Sequence, residues 1–359
     1  MIRDTTALTL AELGWSPSFD AQLADDEREL PRGRVFAVQR SGVTVLVAGS
    51  GEGTTAVQVP LGGRWFQLEA EARPTIGDWL LLDASLTAIV RLLERKSVLK
   101  RVAVAREREV QLIAANVDTM FLVSACNDEF NPSRMERYLV LALDAGVTPV
   151  VVLTKADLAA DTDTFVAGVR ALKRDLAVEV VDARDPGTLS GVRAWCQAGQ
   201  TVALLGSSGV GKSTLVNSLS GSPVQITREA RDDDAKGRHT TTDRSLHVLP
   251  DGGLLVDNPG MRELSLADVD LAGAGLFDDV DALARQCRFR DCRHEAEPGC
   301  AVRAAIEAGT LDARRLDSYR KLLREEARHV ETVAQSRARF RALGKRYRQA
   351  KDESDNSRR

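Results

Sequence analysis

Short hydrophobic runs follow one another between residues 33 and 94, separated by glycine-rich or polar residues. Val43, Val45 and Val47 alternate with other residues along one run, as in a strand that is buried on one face. The runs are residues 34–39, 43–49, 54–60, 78–83 and 88–94. Together they predict an OB-type β-barrel at residues 33–95. Small barrels bind nucleic acid in many proteins and protein in others, and the sequence leaves both open.

From residue 111 to residue 266, apolar runs alternate with helical segments. The strands are predicted at residues 117–125, 148–154, 178–183, 201–205 and 253–256. Helices are predicted at residues 132–146, near 161–175, and at 212–221. Pro132 stands in the first turn of the first of these segments, and Gly146 closes that segment just past the last helical residue, where each is favoured. Because the strands are almost continuously apolar, we expect a mostly parallel sheet covered by helices on both faces.

The remaining segments have different patterns. Residues 276–350 are rich in Ala, Arg, Glu and Leu and are predicted to be helical, whereas residues 351–359 have no apolar face and are predicted to be disordered. These patterns predict an α/β multidomain protein. Its segments are an N-terminal extension (1–32), the barrel (33–95), the α/β domain (96–275), the helical domain (276–350) and a tail (351–359).

Composition narrows the class of protein. With 359 residues, of which 43% are hydrophobic and 28% charged, the chain is typical of a soluble protein with several domains. The net charge of −3 excludes a globally basic nucleic-acid binder. Basic residues cluster at 95–108 and from 314 onward, and charge alone favours solvated helix faces there. No long apolar run or signal peptide is evident, so we expect a cytoplasmic protein without a membrane span.

A glycine-rich loop lies between a predicted strand and a predicted helix. Residues 206–213, GSSGVGKS, match G-x-x-x-x-G-K-[ST] at every fixed position. Such a loop turns backbone N–H groups towards phosphates at a helix N-terminus. Lys212 is expected to reach the β- and γ-phosphates and Ser213 to hold Mg²⁺, and both are candidate catalytic residues. The candidate phosphate site comprises Gly206, Ser207, Ser208, Gly209, Val210, Gly211, Lys212, Ser213 and Thr214.

A candidate base-reading segment, TKAD, ends the apolar run 149–153 and comprises Thr154, Lys155, Ala156 and Asp157. The Asp157 carboxylate can accept hydrogen bonds from both N1–H and N2–H₂ of guanine, an arrangement that adenine cannot supply. The segment precedes the phosphate loop, whereas the two occur in the opposite order in Ras-type GTPases. This reversed order indicates a circularly permuted guanine-nucleotide-binding domain.

Two further segments match the switches of a GTPase. In DNPG, at 257–260, Asp257 is expected to contact Mg²⁺ and Gly260 to sense the γ-phosphate. Met261 follows where Ras-type proteins carry a water-orienting glutamine, so intrinsic hydrolysis is expected to be slow. In GRHTTT, at 237–242, Thr240 and Thr241 both qualify as the threonine that closes over Mg²⁺. His239 is a candidate catalytic residue in place of glutamine, and an exposed loop histidine is the alternative.

Cysteine and histidine cluster in the helical domain. Cys287, Cys292, His294 and Cys300 form a Cys₃His set, which predicts one closed structural Zn²⁺ site rather than disulfides. The two other cysteines, Cys126 and Cys196, lie on strand-like and helix-like segments and are predicted to be core residues.

These segments, in this order, closely resemble the RsgA family of ribosome small-subunit-dependent GTPases. The resemblance covers residues 33–325 and includes PTIGDW, QLIAANVDT and HEAEPGCAVRAAIEAG. It departs at Asn258 and in the acidic leader, LAELGWSPSFD at residues 10–20. It also departs at Val-Asp-Ala (181–183), where the family has a Ser-Ala pair that contacts the base. The resemblance implies an OB barrel, a permuted GTPase domain and a zinc domain. It also implies that the protein binds GTP and GDP with Mg²⁺. It further implies that the protein binds the small ribosomal subunit and its rRNA late in maturation, and that the subunit stimulates GTP hydrolysis. We expect a monomer.

Two other functions compete with this interpretation. A nucleotide-regulated RNA-binding scaffold with negligible catalysis is favoured by Met261 and opposed by His239 and by the intact phosphate loop. An ATP-dependent enzyme would use the same loop, but Asp157 favours guanine.

Overall fold

The computed structural model describes residues 8–39, 41–48, 53–102, 110–221, 244–257, 271 and 273–327. The chain divides into two compact units, one comprising Met1–Arg101 and Gln111–Leu264 and the other Val102–Val110 and Ser265–Arg359. Among the described residues, no helix combines the length and the apolar character that a membrane crossing needs. The division into five segments predicted from the sequence stays a prediction.

The leader packs into the first unit through aromatic side chains. Helix α1 (Pro17–Asp20) carries Phe19, which is fully buried, as is Leu13 before it. The Trp15 ring contacts the Trp79 ring edge-on, with 4.8 Å between centroids. Such packing adds an aromatic contact to the apolar area that is buried. These residues of the acidic leader therefore belong to the core of the unit.

The predicted barrel strands are all present, with a short helix α2 (Gly63–Gln67) between the third and fourth. They are β1 (Arg32–Val38), β2 (Gly42–Ala48), β3 (Thr54–Pro60), β4 (Trp79–Leu82) and β5 (Ile89–Leu92). Strand β1 pairs antiparallel with β2 and β4, β2 with β3, and β4 with β5. Val43, Val45 and Val47 alternate into one barrel-like core, as predicted.

The α/β part follows the predicted alternation. A small sheet of β6 (Val98–Val102) and β7 (Val110–Ala115) precedes it. The strands are β8 (Thr119–Ala125), β9 (Thr148–Thr154), β10 (Ala177–Val180), β11 (Thr201–Gly206), β12 (Arg244–Val248) and β13 (Leu254–Asp257). The helices are α3 (Pro132–Asp144), α4 (Asp163–Arg170), α5 (Ser190–Ala194) and α6 (Lys212–Ser220). Strands β10, β9, β8, β11 and β13 are parallel neighbours in that order, and Cys126 and Cys196 are buried, as predicted.

The barrel and the parallel sheet join into one continuous sheet. Strand β12 pairs antiparallel with β13 on one side and with β1 on the other, where Ala37 lies opposite Ser245. The sequence pattern predicted no strand at 244–248 and no pairing there. Pairing between strands uses backbone groups, which every residue carries, so no local pattern reveals it.

Arg34 on β1 lies at the junction of the leader, the barrel and the α/β sheet, and only 1% of its surface is exposed. Its guanidinium donates to the carbonyl oxygens of Leu13 (2.5 Å), Gly77 (3.3 Å) and Asn116 (3.1 Å). It also donates to Thr201 Oγ1 at 2.8 Å. One side chain thus satisfies buried acceptors from four separate segments.

The prediction of solvated helix faces in the basic cluster is wrong for Arg95. This residue lies between β5 and β6, and its guanidinium donates to both carboxylate oxygens of Asp78, at 2.7 and 2.8 Å. The Asp78 side chain is fully buried, and burial raises its pKa while Arg95 opposes that shift. A buried carboxylate needs such a partner, which explains why this arginine is withdrawn from water.

The described part of the second unit is helical on both sides of a non-helical segment, residues 285–300, which holds the Cys/His cluster and which the sequence had predicted to be helical. It contains α7 (Asp278–Ala284), α8 (Ala301–Glu307) and helical residues 313–327. Arg315 donates to both oxygens of Asp279, at 2.5 and 2.9 Å, and to the Leu276 carbonyl oxygen at 2.6 Å. The predicted disordered tail at 351–359 lies outside the described residues.

Candidate nucleotide site and metal centre

The phosphate loop has the backbone that its glycines predict. Strand β11 ends at Gly206 and helix α6 begins at Lys212. Gly209 and Gly211 have φ angles of +86° and +94°, which residues with a Cβ rarely adopt. A Cβ on Gly206 would lie 2.4 Å from the Val123 carbonyl oxygen on β8. The loop therefore requires glycine at these positions.

Lys212 folds back over its own loop. Its ammonium group donates to the carbonyl oxygen of Gly206 at 2.7 Å and also to that of Ser207. An ammonium on a flexible stem can exchange these carbonyl contacts for phosphate oxygens. The ammonium therefore lies at the loop that is predicted to hold the phosphates.

Thr154 joins the TKAD segment to the phosphate loop. Its side chain is fully buried, and Oγ1 lies 2.5 Å from the Val210 carbonyl oxygen and 3.2 Å from that of Ser124. Strand β8 separates β9 from β11 in the sheet, so this hydroxyl bridges two strand ends that do not pair. The two candidate parts of the nucleotide site, distant in sequence, therefore adjoin in space.

Asp157 has a partner that sequence reasoning missed. Arg184, in the loop after β10, lies with Nη2 2.6 Å from Asp157 Oδ2. The charge of Asp157, followed by that of Asp182, raises the pKa of Arg184. The order of the strands could have revealed this partner. Strands β9 and β10 are parallel neighbours, so the loops that follow them, which carry Asp157 and Arg184, lie at the same edge of the sheet.

The segment 181–183 also lies beside TKAD, although it departs from the family pattern. The Ala156 amide donates to the Val181 carbonyl oxygen at 3.3 Å. Lys155 has a left-handed backbone, with φ of 57°, which turns the chain from β9 into the short 3₁₀ helix Ala156–Leu158. This strand end and loop thus form one edge of the candidate base site.

A second arginine at the phosphate loop was also missed. Arg134, in the first turn of α3, donates from Nη1 to Ser207 Oγ at 2.6 Å. An open cleft of about 470 Å³ adjoins this contact. Its lining residues are Asp128, Glu129, Asn131, Arg134, Ser207 and Ser208.

The candidate magnesium ligands approach the loop from two elements. Ser213 is the second residue of α6, and Asp257 ends β13, which runs parallel to β11 with Ala203 opposite Val256. Both therefore lie towards the edge of the sheet that carries the phosphate loop. Four other predicted site residues lie outside the described residues: His239, Thr240, Thr241 and Gly260.

The predicted metal ligands converge in the second unit. The four ligand atoms of Cys287, Cys292, His294 and Cys300 all lie within 4.8 Å of one another. Sγ of Cys287 lies 3.6 Å from Nδ1 of His294 and 3.9 Å from Sγ of Cys300, and the latter is 3.4 Å from that nitrogen. In a tetrahedral zinc site, bond lengths of about 2.0–2.3 Å place ligand atoms roughly 3.5–3.8 Å apart. The described geometry fits a metal ion.

Local backbone and charge support the same arrangement. His294 has a left-handed backbone with φ of 61°, and Cys300 is the N-cap of α8, where its sulfur accepts from the Arg303 amide. Burial, followed by the charge of Arg320, lowers the pKa of His294, which favours the neutral imidazole that a metal needs as a ligand. Burial also raises the pKa of Cys292 to about 11. A divalent cation would compensate by stabilising the thiolates.

Known proteins resemble this chain over most of its length. The family described as RsgA GTPase matches residues 92–267. The chain is 48% identical over 341 residues to the Small ribosomal subunit biogenesis GTPase RsgA 2 of Vibrio vulnificus, covering 95% of this chain and 94% of that protein. The chain belongs to the RsgA GTPase family. It is therefore a GTPase, as the sequence predicted.

Two solved structures, those of YjeQ and YloQ, have the same fold as this chain. YjeQ from Thermotoga maritima is 25% identical, with a TM-score of 0.60 over 82% of this chain and 98% of that one. YloQ, described as a circularly permuted GTPase, is 25% identical, with a TM-score of 0.57 over 88% of this chain and 98% of that one. The predicted fold class, with its barrel, permuted GTPase domain and C-terminal Cys/His cluster, is confirmed.

Proposed function

We propose that this chain binds the small ribosomal subunit late in its maturation and hydrolyses GTP when bound. The observation that carries the proposal is the contact between Thr154 and Val210, which brings the TKAD segment and the phosphate loop together. The chain is also a member of the RsgA GTPase family. The Vibrio relative is a small ribosomal subunit biogenesis GTPase by name, which supports the ribosomal role proposed here. The protein acts as a monomer in the cytoplasm.

In this proposal, guanine is bound at Asp157 and the phosphates by residues 206–214. Mg²⁺ is held by Ser213 and by Asp257, with Thr240 or Thr241 closing over it. His239 assists hydrolysis in the place of the missing glutamine, because Met261 has no group that can orient a water molecule. The Cys₃His cluster holds one structural Zn²⁺.

Sedimentation with each ribosomal subunit, in GDP and in a nonhydrolysable GTP analogue, tests the proposal. We expect cosedimentation with the small subunit, stronger with the analogue, and a GTPase rate that rises when small subunits are added. Binding without any rise in the rate would favour the scaffold with negligible catalysis. Equal binding to both subunits would contradict the assignment.

Replacing Asp157 by asparagine should weaken GTP and GDP binding and shift preference towards xanthosine nucleotides. The new amide can donate to the 2-oxo group of xanthine, whereas it leaves the N2–H₂ group of guanine without an acceptor. Competition binding with guanosine and xanthosine diphosphates measures the shift. Unchanged GTP affinity in the variant would show that TKAD does not read the base.

The ion pair with Arg184 calls for a matched control, because Asp157→Asn also removes that pair. Arg184→Gln removes the ion pair but keeps the carboxylate. We expect this variant to retain its preference for guanosine, since the acceptor for the base is intact. A shift towards xanthosine in Arg184→Gln would mean that the pair, rather than the carboxylate alone, sets the preference.

Replacing Cys292 by serine should lower the zinc content and small-subunit binding while GTP affinity stays close to wild type. Structural zinc contributes to local folding, and a lost thiolate opens its loop. The phosphate loop and TKAD belong to the other compact unit, so the two losses should be separable. Metal analysis and nucleotide titration measure both. Freshly purified protein without zinc, or a variant with full zinc and normal subunit binding, would refute the site.

A further inference from the structure

Two cations converge on one residue of the phosphate loop. The ammonium of Lys212 donates to the Ser207 carbonyl oxygen, and Nη1 of Arg134 donates to the Ser207 hydroxyl at 2.6 Å. The lysine of such a loop reaches the β- and γ-phosphates when nucleotide binds. Because Lys212 and Arg134 share Ser207 as a partner, the guanidinium lies close to the ammonium that is expected to reach the β- and γ-phosphates.

Rigid elements place Arg134 there. Strands β8 and β11 are parallel, with Val123 opposite Gly206, so the loop leading to α3 lies beside the phosphate loop. The side chain of Asn131 caps α3 by accepting from the Arg134 amide at 3.0 Å, which holds the first turn of the helix. The backbone of Arg134 is therefore fixed, while its long side chain can reorient.

The guanidinium has room and freedom to move. The residue is exposed and borders the open cleft of about 470 Å³ next to Ser207 and Ser208. Asp128 and Glu129 line the same cleft, but within the described part of the chain neither forms an ion pair with Arg134, whose guanidinium contacts Ser207. Its hydrogen bond to a neutral hydroxyl is weaker than one to a charged phosphate oxygen, so bound GTP would compete for it effectively.

We propose that Arg134 is a catalytic residue that contacts the γ-phosphate of GTP from within this chain. In hydrolysis, the oxygen of water bonds to the γ-phosphorus, and the bond to the β,γ-bridging oxygen breaks with its electron pair passing to GDP. The proton that water loses goes to the released phosphate. Negative charge spreads over the oxygens around the γ-phosphorus, where an arginine fork stabilises it. Arg134 supplies the positive charge that stabilises these oxygens, and another group orients the water molecule.

The test measures single-turnover hydrolysis with small subunits, together with the affinities for GDP and a nonhydrolysable GTP analogue. For Arg134→Ala we expect a rate lower by a factor on the order of 10²–10³, the usual cost of removing one group that stabilises developing charge. Affinity for the analogue should fall about tenfold, and GDP affinity should stay within about twofold, since GDP lacks the contacted group. Arg134→Lys should restore affinity for the analogue better than rate, because its point charge lacks the planar fork.

Arg170→Ala is the matched control, because this exposed arginine ends the different helix α4. It should behave as wild type. If Arg134→Ala lowers the affinities for GDP and for the analogue equally, the arginine only stabilises the structure of the loop. An unchanged hydrolysis rate would overturn the proposal. The inference rests on the GTPase activity. If small subunits do not stimulate the wild type, the ribosomal proposal fails, and Arg134 is then judged on the unstimulated rate and the affinity ratio.

Discussion

Lys212→Ala is expected to lower subunit-stimulated GTP hydrolysis by a factor on the order of 10²–10³, the usual cost of removing one group that stabilises developing charge. In the structure its ammonium already lies over the loop, bonded to the Gly206 carbonyl oxygen. Alanine removes the positive charge and introduces no larger side chain that could block the phosphate loop. Phosphate release under single-turnover conditions measures the rate, and nucleotide titration measures the accompanying loss of affinity.

Two other variants delimit this result. Lys173→Ala should leave the rate unchanged, because Lys173 precedes β10 and so lies at the edge of the parallel sheet opposite the phosphate loop, which follows β11. Met261→Leu should keep most of the stimulated rate, because we assign position 261 no chemical part in hydrolysis. Substantial turnover in Lys212→Ala would contradict the assigned role of the lysine, and loss of activity in folded Met261→Leu would contradict the assignment at 261.

Arg34→Leu is expected to lower the free energy of unfolding of the first unit by about 3–5 kcal/mol, the range for breaking a buried charged network. The leucine would leave the acceptors on Leu13, Gly77, Asn116 and Thr201 without their donor. Burial lowers the pKa of Arg34 to about 10, which reflects the cost of desolvation that these bonds offset. Lysine should not rescue it, since one ammonium cannot reach four acceptors that match a planar fork.

Urea unfolding followed by tryptophan fluorescence measures this loss, because the Arg34 guanidinium lies 5.7 Å from the centre of the Trp79 ring. Arg28→Leu is the control. That arginine pairs with Asp25 at 3.4 Å on the exposed surface, and such pairs contribute about 0–1 kcal/mol. An unfolding midpoint of Arg34→Leu equal to that of wild type would show that the junction does not depend on this side chain.

The barrel strands and the motifs were predictable because their signals are local. Alternation at Val43, Val45 and Val47 follows from the two-residue repeat of a strand, and the predicted core was confirmed. The glycines of the phosphate loop have the positive φ angles that the motif requires. The Cys₃His spacing likewise predicted a cluster that the structure brings together. In each case, residues close together in the sequence are sufficient to specify the local structure.

The sequence alone thus determined the fold class, the family resemblance and the residues of the candidate sites. Only the tertiary structure decided how distant segments meet: β1 with β12, Thr154 with Val210, Arg184 with Asp157, and Arg134 with Ser207. These contacts join positions far apart in the chain, and an arginine or threonine in a local pattern does not indicate its partner. The partner is chosen by which strand ends share a sheet edge, and that choice depends on the packing of the whole unit.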